Sequence, residues 1–181
     1  MRDTLIINLL GGPGIGKSTT MADVFRILKE KGYEAEMVTE FAKQLVWESR
    51  TKTFTDEVYI YAKQAHFLFM VKGEVDVIVT DRPLLLTLLY NDISEHKSPA
   101  LEALCLEQYA QCRNLNFMLR RDVKYVDAGR NQTEQEAMDL DERLMEILRD
   151  KGIPYTTVSG INSAETIVEL AEPHIRKEAP E

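Results

Sequence analysis

The sequence has few of the residues that build disulfide frameworks and metal clusters. It contains two cysteines, Cys105 and Cys112, and three histidines without metal-ligand spacing. If both cysteines lie on one helix, their separation of seven residues puts them about 10 Å apart along its axis, too far for a disulfide. We therefore expect reduced thiols and a cytoplasmic location.

Long apolar runs and excess positive charge are also missing. No run reaches the roughly 20 residues of a membrane span, so no membrane partner is expected. A signal peptide is not expected, because its cleavage would remove the glycine-rich motif that begins at Gly11. The 22 Lys and Arg residues face 30 Asp and Glu residues, a net charge of −8. This balance disfavours a nucleic-acid partner, although a local basic cleft would still be compatible with one.

The most specific motif present is GGPGIGKS at residues 11–18, which fits the phosphate-binding pattern G-x-x-x-x-G-K-[ST]. Glycines free the backbone to wrap an anion with its N–H groups. An apolar run before the motif and an amphipathic helical pattern after it disfavour a chance match. Lys17 is expected to reach the β- and γ-phosphates and Ser18 to ligate Mg²⁺. The expected ATP-binding residues are Gly11, Gly12, Gly14, Ile15, Gly16, Lys17, Ser18 and Thr19.

Apolar runs of strand length alternate with helical patterns along all 181 residues, which we expect to form one domain. Ser98–Pro99 and the capping-box pair Thr133 and Glu136 mark two helix starts, whereas residues 50–54 are predicted as a polar connection. Together with the phosphate-binding motif at 11–18, the alternation predicts an α/β fold, the three-layer sandwich of P-loop NTPases with a mainly parallel five-stranded sheet. The predicted strands are 4–10, 33–39, 75–80, 114–119 and 155–158.

Three charged residues are expected beyond the carboxyl ends of the strands, where such sheets bind ligands. Asp81 either holds Mg²⁺ or takes a proton, or else it caps the following helix. Glu40 is either a second acid near the γ-phosphate or a first-turn glutamate favoured by the helix dipole. Arg82 either clamps a phosphate or lies on the surface.

Further candidates lie on the neighbouring helices. Lys43, three residues after Glu40, either contacts that acid or the substrate, or is merely exposed. Gln64 and Trp47 are candidates for binding a base, although aromatic spacing of this kind is also typical of a core.

The segment 120–132 is basic in an otherwise acidic chain. It is either a lid that closes over ATP or a solvated basic loop. Its candidate phosphate-binding arginines are Arg120, Arg121 and Arg130.

Taken together, these motifs resemble the P-loop kinase family that includes the ribosylnicotinamide kinase domain of NadR-type proteins, a group also common among phage ATPase/kinase proteins. The resemblance implies ATP, Mg²⁺ and phosphoryl transfer to a nucleoside, a nucleotide or a base in nucleic acid. The Asp81–Arg82 pair is more similar to the acid–arginine pair of deoxynucleotide kinases. The matching stretches are GGPGIGKST (11–19), TEFAKQLVWE (39–48), YAKQAHFLF (61–69), VDVIVTDRPLLLTLLY (75–90) and KYVDAGRNQ (124–132).

The sequence therefore predicts an ATP-dependent P-loop kinase, with Lys17, Glu40, Asp81, Arg82 and Arg130 at the reacting groups. Glu40 is predicted on the acceptor side and Asp81 on the metal side. The acceptor is a deoxynucleotide, nicotinamide riboside or another nucleoside, or a modified base in phage DNA, and the oligomeric state is left open. The alternative is a P-loop ATPase that acts as a nucleotide-dependent switch and binds a protein partner.

Overall fold

The computed structural model describes residues 2–122, 133–160 and 162–176. In these residues the chain alternates between strands and helices. The elements are β1 (Leu5–Leu10), α1 (Lys17–Glu30), β2 (Ala35–Val38), α2 (Ala42–Trp47), α3 (Thr51–Phe54), α4 (Glu57–Val71), β3 (Val77–Thr80), α5 (Leu86–Asp92), α6 (Pro99–Ala110), β4 (Arg113–Leu119), α7 (Glu134–Asp150), β5 (Thr156–Val158), α8 (Ala164–Ala171) and a 3-10 turn (Glu172–His174).

The five strands form one sheet in the order β2-β3-β1-β4-β5, and every pairing is parallel. This confirms the predicted α/β fold. Because the carboxyl ends of parallel strands meet at one edge, the turns after β1, β2 and β3 lie close together there. The glycine-rich turn, Glu40 and Asp81 follow those three strands.

Helices cover both faces of the sheet, which explains the unbroken apolar runs of its strands. Ile6 and Ile78 point into a core that includes residues of α4, α5, α6 and α7. Leu5 and Val79 point to the other face, into a core shared with α1 and α8. The sheet is thus the middle layer of a three-layer sandwich, as predicted.

A buried amide network joins β1 to β4. The Asn8 side chain donates to Asn114 at 3.0 Å and to Asn116 at 2.9 Å, and Asn116 donates to the Tyr109 hydroxyl at 2.7 Å. A one-residue slip between the strands would leave these amides unpaired, so the network fixes the register. The register in turn sets the position of the glycine-rich turn against the end of β4.

Local sequence signals for helix starts are confirmed at two places. The Ser98 hydroxyl accepts from the Leu101 N–H, with Pro99 in the first turn of α6, and Thr133 and Glu136 form the predicted capping box of α7.

The predicted connection at 50–54 is wrong, because residues 51–54 form the helical turn α3. Four residues are too few to show a helical period, so the sequence carries no signal for this turn. Asp56 then caps α4 by accepting from the Tyr59 N–H, and the long helix begins at Glu57.

Cys105 and Cys112 are both free thiols, and the Cys105 thiol donates to the Leu84 carbonyl at 3.1 Å. Among the described residues, no helix has the length and apolar character needed to cross a membrane.

Candidate active site

The turn between β1 and α1 is built from glycines. Gly16 immediately precedes α1 and has a φ of +97°, a left-handed conformation that a side chain would strain. It turns the chain directly into the helix at Lys17, with Ser18 and Thr19 exposed in the first turn and Ile15 buried. The first N–H groups of a helix have no intrahelical partner and, with the helix dipole, favour an anion at this end.

Lys17 lies folded against this turn. Its Nζ atom donates to the carbonyls of Gly11 at 2.7 Å and Gly12 at 2.8 Å. Burial lowers the pKa of Lys17, while the nearby carboxylates of Glu40, Asp81 and Asp141 act in the opposite direction. One ammonium group therefore stands within electrostatic reach of three acids.

The two predicted acids, Glu40 and Asp81, are joined by a hydrogen bond between the backbone of one and the carboxylate of the other. Asp81 is 3% exposed at the end of β3, and its Oδ1 atom accepts from the backbone N–H of Glu40 at 2.9 Å. The alternative in which Asp81 caps the following helix is wrong, since α5 begins without a side-chain cap. Asp81 instead fixes the turn that carries Glu40.

The same turn is held from the other side by Gln64 of α4. The Gln64 carboxamide donates to the Thr39 carbonyl at 3.2 Å and accepts from the Phe41 N–H at 3.1 Å. Both of its polar atoms are thus bonded to the backbone on either side of Glu40, and the side chain is buried. Contact of Gln64 with a base has no support in this geometry, whereas a role in holding Glu40 has.

The other predicted acceptor-binding side chains are far more open. Trp47 is 72% exposed on α2, and Lys43 is exposed and makes no ion pair with any described residue. Phe67 packs edge-on against Phe41 with ring centroids 6.2 Å apart, as part of the core. Substrate contact by Trp47 and Lys43 stays a prediction.

Arg82 is buried rather than solvated. Its Nη2 atom donates to Glu57 Oε1 at 2.9 Å, and its Nη1 atom lies 4.0 Å from Glu40 Oε1. The guanidinium carbon stacks 4.3 Å from the centre of the Tyr90 ring. Burial raises the pKa of Glu57, and Arg82 opposes that rise. The surface alternative for Arg82 is therefore wrong, and two carboxylates share its charge.

Glu57 and Tyr90 also line a cavity of about 390 Å³ between the start of α4 and the segment after α5. A neighbouring cavity of about 270 Å³ shares Glu57 and adds Lys52 and Asp56. The described residues that line the larger cavity include two carboxylates and a histidine but neither lysine nor arginine. They are Thr55, Glu57, Tyr90, Ile93, Ser94, Glu95 and His96.

The two described arginines after β4 differ in their environment. Arg121 donates to the Pro13 carbonyl at 3.0 Å and makes two bonds to Asp141, at 3.0 and 2.7 Å. The Arg120 side chain is 63% exposed, 3.6 Å from Asp122. Arg130 and the rest of the predicted lid, from residue 123 onward, lie outside the described residues.

Sequence reasoning missed two acids of this region, Asp141 and Glu57. Asp141 is one of many charged residues on the amphipathic helix α7, so nothing local distinguishes it. Glu57 stands in the first turn of α4, where the helix dipole alone explains a glutamate. Both are recognised only from the contacts that they make with distant residues.

Comparison with known proteins identifies the family and the fold. The model of the AAA domain family matches residues 6–165, whereas comparison with curated proteins gives no match. Among solved structures, the chain is similar to NadR protein in complex with NR, with a TM-score of 0.68 and 16% identity over 99% of this chain and 54% of that one. It is also similar to NadR protein in complex with NAD and AMP-PNP, with a TM-score of 0.59 and 14% identity over 99% and 52%.

At these identities the likeness to NadR concerns the fold, and the chain spans about half the length of the NadR chains that it matches. The family match covers most of the chain and includes the glycine-rich turn, Glu40, Asp81 and Asp141. The phosphate-binding turn, the central position of β1 and this match agree, and the chain therefore belongs to the AAA domain family as a nucleotide-binding P-loop protein whose fold is similar to that of NadR.

Proposed function

We propose that the protein is an ATP-dependent kinase that transfers the γ-phosphoryl group of ATP to a hydroxyl group of a small nucleoside-like acceptor. The observation that carries this proposal is the hydrogen bond between Asp81 and the backbone of Glu40, which holds two acids beside Lys17. A P-loop protein that only hydrolyses ATP uses one acid for its metal and a second group to orient the attacking water. A kinase benefits from a second group beside the acceptor hydroxyl.

ATP would occupy the P-loop, with Lys17 against the β- and γ-phosphates. The donor set fits Mg²⁺, since the Ser18 hydroxyl and the Asp81 carboxylate are oxygen ligands and the ion completes its shell with water and phosphate oxygens. Bound Mg²⁺ supplies neutralisation of the phosphate charge. Arg120 and Arg130 would complete the cover of the nucleotide, whereas Arg121 is already bonded to Asp141 and Pro13.

Glu40 is proposed as the acceptor-side acid, which orients the hydroxyl and takes its proton. The buried Arg82, 4.0 Å away, positions its carboxylate, and Gln64 holds its backbone on both sides. Lys43 and Trp47, exposed on α2, are proposed to contact an acceptor that approaches from solvent.

We propose that the acceptor enters the larger cavity, which is linked to the site by the Arg82–Glu57 ion pair, and the charges of this cavity favour an acceptor without a phosphate group. Its described lining residues carry the carboxylates of Glu57 and Glu95 but neither lysine nor arginine, and Arg82, which contacts Glu57, is already paired with that carboxylate. An anion in such a site would meet like charge, whereas a neutral or positively charged nucleoside would not. NadR, whose fold is similar, is known in complex with NR.

The test is an acceptor screen with labelled ATP. The panel contains nucleosides, including nicotinamide riboside and deoxynucleosides, their monophosphates, and DNA with a hydroxymethylated base. We expect one nucleoside to raise ADP release at least roughly tenfold and to become phosphorylated, as read by mass spectrometry, with no such product from a Lys17→Ala variant. A monophosphate as the best acceptor would contradict the proposed acceptor class but not the kinase.

The second candidate is a P-loop ATPase that acts as a nucleotide-dependent switch, and the AAA domain match favours it. A switch would hydrolyse ATP at a rate that no member of the panel changes. That result would contradict the kinase proposal.

A further inference from the structure

The P-loop lies against α7 at Gly12, much closer than a residue with a side chain would permit. A Cβ atom at this position would stand 2.9 Å from the Ala137 carbonyl and 3.0 Å from Asp141 Oδ1. The N–H of Gly12 donates to that same Asp141 oxygen. The entry to the phosphate-binding turn is therefore fixed from outside by a carboxylate.

The second oxygen of Asp141 holds Arg121. The guanidinium bonds to Asp141 Oδ2 through Nε and Nη2, and its Nη1 atom donates to the Pro13 carbonyl. Both side chains are mostly shielded, at 14% exposure for Asp141 and 10% for Arg121. One ion pair thus binds the N–H of Gly12 and the carbonyl of Pro13, which is the next residue of the loop.

A carboxylate at this place is electrostatically unfavourable for an anion-binding loop. Asp141 is close enough to Lys17 to act on its charge, so it also acts on phosphates bound there. In a shielded site such interactions are much stronger than in water. Arg121 offsets this charge, so that the carboxylate orders the backbone without repelling the nucleotide.

We infer that Asp141 is a positioning residue for the nucleotide, which holds the P-loop in its phosphate-binding shape while Arg121 neutralises its charge. Arg121 then acts chiefly on Asp141 and the loop backbone. This inference rests on nucleotide binding at the P-loop and does not require phosphoryl transfer.

The test measures the dissociation constant of Mg²⁺·AMP-PNP for the full chain by calorimetry, so no turnover is needed. Arg121→Ala leaves the Asp141 charge uncompensated, and we expect nucleotide affinity to fall by roughly tenfold to a hundredfold. Asp141→Asn keeps an acceptor for the Gly12 N–H and should weaken binding less than about tenfold, whereas Asp141→Ala should weaken it more than Asp141→Asn does.

The decisive variant is the double substitution Arg121→Ala/Asp141→Asn, which removes both charges. It should bind the nucleotide more tightly than Arg121→Ala alone, by at least roughly fivefold. If the ion pair had only a structural role, the double variant would bind the nucleotide no more tightly than Arg121→Ala does.

Glu142→Gln and Arg149→Ala are the matched controls, because both side chains are exposed on the same helix, and each should bind as the wild type does. Urea unfolding of every variant reports loss of fold separately. If Arg121→Ala does not fold, the inference is tested by comparing the nucleotide dissociation constants of Asp141→Ala and Asp141→Asn. Equal dissociation constants for these two variants contradict it.

The inference is overturned if the double variant binds no better than Arg121→Ala. A wild type that fails to bind nucleotide overturns it together with the proposed function. A wild type that binds nucleotide but phosphorylates no acceptor overturns only the kinase.

Discussion

The nucleotide side and the acceptor side of the proposed active site are built from different chemical groups. The nucleotide side is one contiguous turn, residues 11–18, whose contacts are mostly peptide groups, and even Lys17 bonds to backbone carbonyls. The acceptor side is assembled from side chains of four elements, which are the ends of β2 and β3 and the helices α4 and α5. Its members are Glu40, Glu57, Gln64, Arg82 and Tyr90.

This difference reflects two kinds of recognition: phosphate binding is general, whereas binding of the acceptor is specific. Peptide N–H groups bind any phosphate chain, so glycine peptides and one lysine suffice to contact the phosphates, while Asp141 and Arg121 act on the backbone of the turn. Charged side chains read an acceptor by its groups and can be exchanged without altering the fold. The fold therefore identifies the nucleotide more readily than the acceptor.

The largest effect is expected on the nucleotide side, from Lys17→Ala. The Lys17 ammonium would neutralise the transferring phosphate, so its loss should reduce turnover by roughly a thousandfold or more. The fold should persist, because among the described residues the Nζ atom bonds only to carbonyls of the same loop. Steady-state kinetics and thermal unfolding check both points, with Lys29→Ala, exposed on α1, as the control. Near wild-type turnover of Lys17→Ala would contradict the interpretation of residues 11–18 as a phosphate-binding loop.

On the acceptor side, Glu40→Gln should lower kcat by roughly 10²–10⁴-fold if Glu40 is a general base, while ATP and Mg²⁺ binding stay nearly unchanged. Asp81→Asn retains an oxygen for the Glu40 N–H and should instead raise the Mg²⁺ concentration needed for half-maximal rate. Titration of the rate with Mg²⁺ distinguishes the two, with Glu36→Gln, exposed on β2, as the control. Exchange of the two phenotypes would reverse the assignment.

A third effect is on stability. Arg82→Met leaves the Glu57 carboxylate buried without its partner and should cost about 3–5 kcal/mol in the free energy of unfolding. Adding Glu57→Gln removes that charge and should recover part of the loss. Urea unfolding measures both variants. Equal stabilities for the single and double variants would show that Glu57 is not held ionised by Arg82.

The smallest effect tests whether α7 braces the acceptor side as it does the P-loop. Asp92 pairs with Arg143 of α7 and with Lys97, which lies between α5 and α6. These two cations hold the pKa of the Asp92 carboxyl below the ordinary 3.8. The ionised carboxylate thus stabilises the fold at any pH above the ordinary pKa of 3.8, and this stabilisation is lost as the pH falls through the lowered pKa of the folded protein. Because the pairs are partly exposed, Asp92→Asn should cost less than about 1 kcal/mol at pH 7.

Denaturant unfolding of wild type and Asp92→Asn across acidic and neutral pH checks this point. The two proteins should converge as the solution becomes more acidic than the lowered pKa. A difference that does not depend on pH would rule out the ion pairs as its source.

Sequence reasoning reached the fold and the P-loop because their signals are local. The motif at 11–18 is contiguous, the strands show as apolar runs, and the starts of α6 and α7 carry capping residues within three positions. Two of the charged groups that it placed at the sheet edge, Glu40 and Asp81, do meet there.

The remaining contacts could not be predicted, since they join residues that are distant in the chain. Asp141 and Gly12 are 129 positions apart, and Phe41 and Gln64 are 23 apart. Each partner belongs to an ordinary local pattern, an amphipathic helix or a helix interior. Their roles appear only when the packing of α4 and α7 on the sheet is known.

The central position of β1 also governs how the protein is made. Leu5 pairs with Val77 and Arg113, 72 and 108 residues later, so the strand before the P-loop is synthesised long before its neighbours. A sheet with such distant pairings forms slowly, and a nascent chain exposes the apolar segment LIINLL until β3 and β4 arrive. The strand that places the phosphate-binding turn at the middle of the sheet is therefore the segment most in need of protection during synthesis.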